Sequence, residues 1–252
     1  VENYGGNVDK KSLLIRNLAD IMGSHFPELL SNLNNYPQPL VTKKPDGSPV
    51  THLDLALSHS VERLSQKHFS DCCFYSEENF KEWKFPLLAL DPLDGTREYI
   101  EGRPEWSVSL GIFESEDFMG EGWVANPVTK EIFSSKTVKS WDKKEYLRGE
   151  VSRSEFAKGL YCYHTSEKIS LTAVGSIAYK LGRLSHGKMD FVVSLRPKNI
   201  WDIAGGSLLC KEAGLEFYSQ GKKVTKVLKT YEPPLIWCHP SLFPELSRQF
   251  SS

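Results

Sequence analysis

The chain has 252 residues, long enough to bury a large core without disulfides or a structural metal. Its composition, 40% hydrophobic and 25% charged, is that of a folded globular protein and excludes a disordered or coiled-coil chain. Thirty-one Lys+Arg against thirty-two Asp+Glu give a formal net charge of −1, without the basic excess of a nucleic-acid polymer binder. No apolar run approaches the roughly 20 residues that cross a bilayer, so no membrane partner is expected. Residues 1–12 are too polar for a secretory signal. The cysteines at 72, 73, 162, 210 and 238 lack zinc-ligand spacing and read as reduced thiols of a cytoplasmic protein.

In chain order, a first helix is predicted over residues 9–30, with Leu14, Leu18, Ile21 and Met22 on one side. Residues 40–50 read as a loop or hairpin around Asp46-Gly47. A second helix opens at Thr51 and carries a stripe of Leu53, Leu57, Val61 and Leu64. Strands are predicted at Cys72–Ser76, Pro86–Leu90, Trp106–Phe113, Gly122–Ala125 and Glu131–Ser135. The charged stretch 136–158 reads as an internal boundary, dividing the chain into residues 1–140 and 141–252 of one compact unit. Beyond it come a helix over Ser176–His186, a strand over Phe191–Leu195 and a helix over Asp202–Ala213 closed by Gly214. Strands Leu215–Tyr218 and Leu235–Cys238 and a helix Ser241–Phe250 complete a layered α/β (α+β) pattern.

The chemistry lies in Asp91-Pro-Leu-Asp-Gly-Thr96, which follows the apolar run Leu87–Leu90. A buried strand ending there, with a tight turn at Pro92 and Gly95, aims Asp91 and Asp94 at one point. Two anions at one point need a cation, and all-oxygen ligands favour a hard ion, Mg²⁺ first. Gly95 permits close backbone approach, and the N–H groups of Gly95 and Thr96 suit a phosphate oxygen. Three further acidic sites strengthen the metal reading: Glu77 and Glu78 follow the strand Cys72–Ser76, Asp202 starts an apolar, small-residue helix where the plain alternative is an N-cap, and Asp54 lies where it completes a Thr51-x-x-Asp capping box.

These segments, together and in order, resemble the inositol monophosphatase superfamily. The resemblance rests on Ser76-Glu-Glu78, Asp91-Pro-Leu-Asp-Gly-Thr96 and Trp201-Asp-Ile-Ala-Gly-Gly206, supported by Asp46-Gly-Ser-Pro-Val-Thr-His-Leu-Asp54 and Gly175-Ser-Ile-Ala-Tyr-Lys180. It runs from about residue 40 to 240. It implies an αβαβα sandwich and hydrolysis of a small phosphate monoester with two or three Mg²⁺ ions. It implies that Glu77, Asp91 and the Leu93 carbonyl hold one ion, that Asp91, Asp94 and Asp202 hold another, and that a third shares Glu77. Thr96 then orients the attacking water, with Asp54 accepting a hydrogen bond from the Thr96 hydroxyl and Glu77 holding the same water. Asp94, Gly95, Thr96, Gly175, Ser176, Ile177, Lys180 and Asp202 are the implied substrate contacts. The family is also compatible with a homodimer and with lithium sensitivity.

Two substrate readings follow. Gly102-Arg-Pro-Glu-Trp-Ser-Val-Ser-Leu110 is similar to the inositol enzymes. Asp94-Gly-Thr-Arg-Glu-Tyr99 and Val151-Ser-Arg-Ser154 are similar to the 3′(2′),5′-bisphosphate nucleotidases. In the second reading Lys180, Arg153 or Arg196 meets a second phosphate. Leu195 occupies the place where many inositol enzymes carry an acid for the sugar hydroxyls, with Arg196 and Lys198 beside it as candidates for a second anionic group.

Overall fold

The computed structural model describes residues 40–250 except 46, 69–71, 80, 81, 143, 163 and 165. The helix expected over 9–30 and the Asp46 end of the hairpin turn lie outside the described residues. The hairpin itself is present as β1 (Val41–Lys43) and β2 (Pro49–Thr51), an antiparallel pair. It runs directly into α1 (His52–His68).

A five-stranded sheet follows: β3 (Cys73–Ser76), β4 (Leu87–Asp94), β5 (Ser107–Phe113), β6 (Gly120–Asn126) and β7 (Glu131–Ser134), in that spatial order. The β3–β4 pair is parallel and the others antiparallel. Helix α2 (Thr96–Ile100) is one short turn between β4 and β5. Alternation along β4 sets the layers. Leu88 and Leu90 face α1 and pack with Leu53, Leu57 and Val61. Leu87 and Ala89 face the middle of the molecule.

The boundary expected over 136–158 is only partly a connection. Residues from Leu147 onward form β8 (Leu147–Ser152), followed by the short α3 (Arg153–Ala157) and by β9 (Ile169–Val174). Not all charge in the stretch is solvated: Glu150, in β8, is 5% exposed and paired with Arg183 at 2.9 Å. The remaining elements are α4 (Ile177–Ser185), β10 (Phe191–Ser194), β11 (Lys198–Asn199), α5 (Ile200–Glu212), β12 (Glu216–Ser219), β13 (Lys222–Lys223), β14 (Thr230–Tyr231), β15 (Leu235–Cys238) and α6 (Phe243–Phe250). A 3₁₀ turn, Pro240–Leu242, precedes α6, so the predicted last helix is shorter at its start. The second sheet has the order β13-β12-β15-β10-β8-β9, and β11 pairs with β14 apart from it.

Helices α4 and α5 fill the space between the sheets. Leu181, Ile203, Ala204 and Leu208 share one core with Leu87 and Phe113 of the first sheet and Val192 and Trp237 of the second. The other face of the second sheet, with Phe191, Val193 and Ile236, is covered by Leu246 and Phe250 of α6. The result is the expected αβαβα sandwich. Helix α5 is apolar all round because both sheets touch it. It touches the first sheet backbone to backbone. A Cβ on Gly205 would lie 2.4 Å from the Trp123 carbonyl oxygen, and one on Gly122 would lie 2.2 Å from the Gly205 oxygen.

Candidate active site

Strand β4 does not end at Leu90 as the sequence suggested. It runs on through Asp91-Pro-Leu-Asp94, with Asp91 opposite Ser109 and Asp94 opposite Ser107 of β5. Three steps on β4 match two on β5, so the segment is a bulge in a paired strand and not a free tight turn. The bulge holds Asp91 at 2% exposure, its Oδ1 accepting the Leu93 N–H at 3.0 Å. Gly95 then adopts φ 98°, ψ 38° and starts α2, which no side chain caps. The left-handed conformation and the 3.1 Å that a Cβ would leave to Trp106 Cβ both require glycine there.

Asp94 belongs to the first sheet but is held from the second half of the chain. Its Oδ2 accepts the Ser176 hydroxyl and the Ala178 N–H, each at 2.6 Å. Ser176 is the N-cap of α4, at φ 51°, a strained value for a residue with a side chain. Its hydroxyl also lies 2.9 Å from that of Ser107. Asp202 is the third residue of α5 and not its cap. Asn199 is the cap, and Asp202 Oδ2 accepts the Asn199 N–H at 2.8 Å in a capping box. Asp54 accepts the Thr51 N–H at 2.8 Å and the Thr51 hydroxyl at 2.5 Å. The Thr96 hydroxyl has one proton and two acceptors in reach: Asp54 Oδ1 at 3.5 Å and the Leu93 carbonyl at 3.2 Å.

The acids feel one another. Burial holds the Asp91 carboxyl well above the usual carboxylate range, and the charges of Glu77, Asp94, Asp202 and Asp54 push it further. Burial pushes Asp202 up to about 7; Lys198 opposes the rise, while Asp94 and Glu77 add to it. Glu77 and Asp54 are raised by burial too. On the Glu77 side the charge is balanced by Lys44, from the hairpin turn, whose ammonium lies 2.5 Å from Glu77 Oε1 and 2.8 Å from Glu78 Oε1. The sequence held no signal for Lys44, because only the folded hairpin carries it to these acids.

A cleft of about 250 Å³ opens here, lined among others by Glu77, Asp94, Gly95, Thr96, Gly175, Ser176 and Ile177. Asp54, Asp91, Leu93 and Asp202 are not part of that lining. Lys180 borders the cleft but is neither a solvated helix lysine nor an open phosphate ligand. It is 1% exposed, and its Nζ donates to the carbonyls of Val174 (2.9 Å), Gly175 (3.2 Å) and Ser176 (2.7 Å). Burial pushes it down to about 8. These bonds tie its ammonium to the loop that carries Ser176.

Among the described residues, no three His, Cys, Asp or Glu side chains stand arranged to hold a metal ion, since the carboxylates are turned to the N–H, O–H and ammonium donors named above. The chemistry of the donors nevertheless suits a hard divalent cation. They are carboxylate oxygens with one main-chain carbonyl, and buried acids that raise one another's pKa lack a neutralising charge.

Comparison with known proteins matches residues 13–233 to the model of the inositol monophosphatase family. The chain is 29% identical over 196 residues to inositol monophosphatase 3 of Solanum lycopersicum, covering 66% of this chain and 71% of that one. It is 28% identical over 204 residues to the 3′(2′),5′-bisphosphate nucleotidase CysQ of Escherichia coli, covering 72% and 81%. Among solved structures, the IMPase of Thermotoga maritima superposes with TM-score 0.71 at 24% identity, covering 94% of this chain and 93% of that one. An IMPase/NADP phosphatase complexed with Mg²⁺ and phosphate superposes with TM-score 0.76 at 14% identity, covering 93% and 95%. With this match over most of its length, the chain belongs to the inositol monophosphatase family and is a phosphatase of that superfamily.

Proposed function

We propose that this phosphatase hydrolyses a small phosphate monoester with two or three Mg²⁺ ions, in the manner of an inositol monophosphatase. The observation that carries the reading is the bulged β4 segment, which brings Asp94 and the uncapped start of α2 to one cleft beside Glu77 and holds Asp91 buried just behind them, close enough for the charges of Glu77 and Asp94 to act on it. Glu77, Asp91 and the Leu93 carbonyl would hold one ion, and Asp91, Asp94 and Asp202 a second. When bound, Mg²⁺ lowers the pKa of a water and neutralises charge developing on the phosphoryl group.

The chain's own residues supply the positioning. The N–H groups of Gly95 and Thr96, left without a side-chain cap, bind the phosphate oxygens. The Thr96 hydroxyl donates toward Asp54 Oδ1 or the Leu93 carbonyl, which leaves its lone pairs to accept a hydrogen bond from the attacking water and so orient it. Thr51 fixes Asp54 for that role. Gly175, Ser176 and Ile177 border the substrate from the second half of the chain, and Ser176 keeps Asp94 Oδ2 occupied so that only Oδ1 turns to ligands.

Lithium sensitivity, a cytoplasmic setting and a homodimeric state belong to the same proposal. The setting is supported by five cysteines present as thiols and by the lack, among the described residues, of any helix long and apolar enough to cross a membrane. The test is phosphate release from inositol 1-phosphate, adenosine 3′,5′-bisphosphate and fructose 1,6-bisphosphate, with Mg²⁺ and with chelator. At least one ester should be turned over only with Mg²⁺, and Asp91→Asn should abolish that turnover while the protein stays folded. Near wild-type turnover by Asp91→Asn at saturating Mg²⁺ would refute the assignment.

A further inference from the structure

Three segments that resemble two different substrate classes meet at one ion cluster. Asp94–Tyr99 supplies Glu98, Gly102–Leu110 supplies Glu105, and Val151–Ser154 supplies Arg153. The Arg153 guanidinium donates to Glu105 Oε1 at 2.7 Å, and its Nε faces Glu98 Oε1 at 3.8 Å. Arg153 is therefore not a free cation for a second phosphate. Both acids belong to the first half of the chain and the arginine to the second, so the cluster joins the halves beside the cleft that Glu98 lines.

The topology puts the arginine there. Strands β8 and β9 are parallel neighbours, with Ser152 opposite Val174. The next residues, Arg153 and Gly175, leave the second sheet side by side. Gly175 admits the first half of the chain at close range: a Cβ there would lie 2.3 Å from Glu98 Cγ and 2.8 Å from the Glu105 carbonyl oxygen. Arg153 then pairs with the carboxylates of the two residues that pack on Gly175.

Helix α2 needs such an outside hold. It is five residues long, none of them buried, and its start has no side-chain cap. One helical turn is not stable by itself. The Tyr99 ring rests on Trp106, with centroids 5.2 Å apart, and holds α2 to its own sheet. Glu98 ties it to the other half. The ion pairs are shielded, with side-chain exposures of 14% for Glu98, 26% for Glu105 and 31% for Arg153. Arg153 Nε is buried and makes no hydrogen bond among the described residues, so nothing there competes with Glu98 for it.

We propose that Arg153 is a positioning residue for the phosphate turn. By holding Glu98 and Glu105 against the second half of the chain, it sets where the Gly95 and Thr96 N–H groups stand relative to Asp94 and Ser176. This rests on the phosphatase reading of the same cleft. It assigns the arginine to the frame of the site and not to the choice of ester.

The experiment uses Arg153→Met, Arg153→Lys, Glu105→Gln and the double variant Arg153→Met/Glu105→Gln. Arg153→Met should lower kcat by about 10–100-fold, the effect of displacing a binding group by up to about 1 Å. The factor should be the same on each of inositol 1-phosphate and adenosine 3′,5′-bisphosphate that is turned over, because Arg153 touches neither. Arg153→Lys should recover part of the loss, since an ammonium keeps the charge but not the fork that spans two acids. Glu105→Gln should add nothing to Arg153→Met, because both act through one contact. Hydrogen exchange of the metal-free protein reads the clamp without turnover. The amides of Tyr99, Glu101 and Gly102, bonded within the turn, should exchange about 2–5-fold faster in Arg153→Met, the value of a partly exposed ion pair. Unchanged exchange, or faster exchange with wild-type turnover, overturns the proposal. A loss confined to the ester with two phosphates, or fully additive single effects, overturns it too. Absence of wild-type turnover with every ester refutes the phosphatase reading, and the exchange rates then still decide whether the clamp exists.

Discussion

Asp202→Asn should make the metal-free protein more stable and the Mg²⁺-loaded protein inactive, two effects of opposite sign from one atom. The Asp202 carboxyl rises from 3.8 to about 7 on folding, chiefly through burial. The folded state therefore disfavours the ionised form. The penalty is absent below pH 3.8, grows as pH rises toward about 7 and is constant above it. At about 1.4 kcal/mol per tenfold, it reaches about 4 kcal/mol at pH 8. Asparagine removes the charge and keeps an oxygen for the Asn199 N–H, so the capping box survives. It forfeits only the attraction of an anion to the helix start, about 0.3–1 kcal/mol. The net gain at pH 8 is about 3 kcal/mol. Urea unfolding with chelator, at pH 8 and at pH 4, reads it directly: a clear gain at pH 8 and little or none at pH 4. Phosphate release at saturating Mg²⁺ should fall by more than about 100-fold, since even groups one shell away from a metal are worth about 10–100-fold. A metal-free Asp202→Asn less stable than wild type at pH 8, or a difference independent of pH, would refute the reasoning.

Two further outcomes follow from the packing. Gly205→Ala places a Cβ 2.4 Å from the Trp123 carbonyl and 2.8 Å from that of Leu110, backbone atoms that cannot rotate aside, so α5 must back away by about 1 Å. That shift should carry Asp202 with it and lower kcat by about 100-fold with a loss of about 1–3 kcal/mol, seen in turnover and in urea midpoints. Ser176→Ala removes the 2.6 Å hydrogen bond to Asp94 Oδ2 but leaves that of the Ala178 N–H, so kcat/KM should fall about 10–150-fold, with Ser176→Thr retaining more activity than Ser176→Ala.

The sequence exposed the site more fully than the architecture around it. The acids were legible because each sits at a strand or helix end with a recognisable local pattern: Glu77 after β3, Asp91 and Asp94 at the end of β4, Asp202 at the start of α5. Their exact setting was not. Whether Asp-Pro-Leu-Asp is a turn or a bulge depends on pairing with Ser107 and Ser109 of β5, a tertiary fact. Strands β8 and β9 were missed for a related reason. Strand β8 carries Arg148 and Glu150 among its apolar residues, and the pairing of Glu150 with Arg183 of α4 is a tertiary contact, while β9, with alternate residues exposed at the sheet edge, lacks an apolar run. Lys180 and Lys198 show the same limit. Both are single lysines near helix starts, and only the fold reveals that carbonyls surround one ammonium while the Glu155 carboxylate stands 3.8 Å from the other.

The Lys44 clasp changes what an ion affinity would mean for this protein. With Glu77 as an ion ligand, loading is an exchange reaction. An incoming divalent ion would have to replace an ammonium already fixed to the chain and held by two glutamates. The tethered competitor has a local concentration that dilution cannot lower. The measured constant is therefore the ratio of two affinities for one carboxylate. Both pairs are partly exposed, with Lys44 at 18%, so salt weakens the resident as well as the incoming ion. The β1–β2 hairpin is then the arm that carries the resident counter-ion.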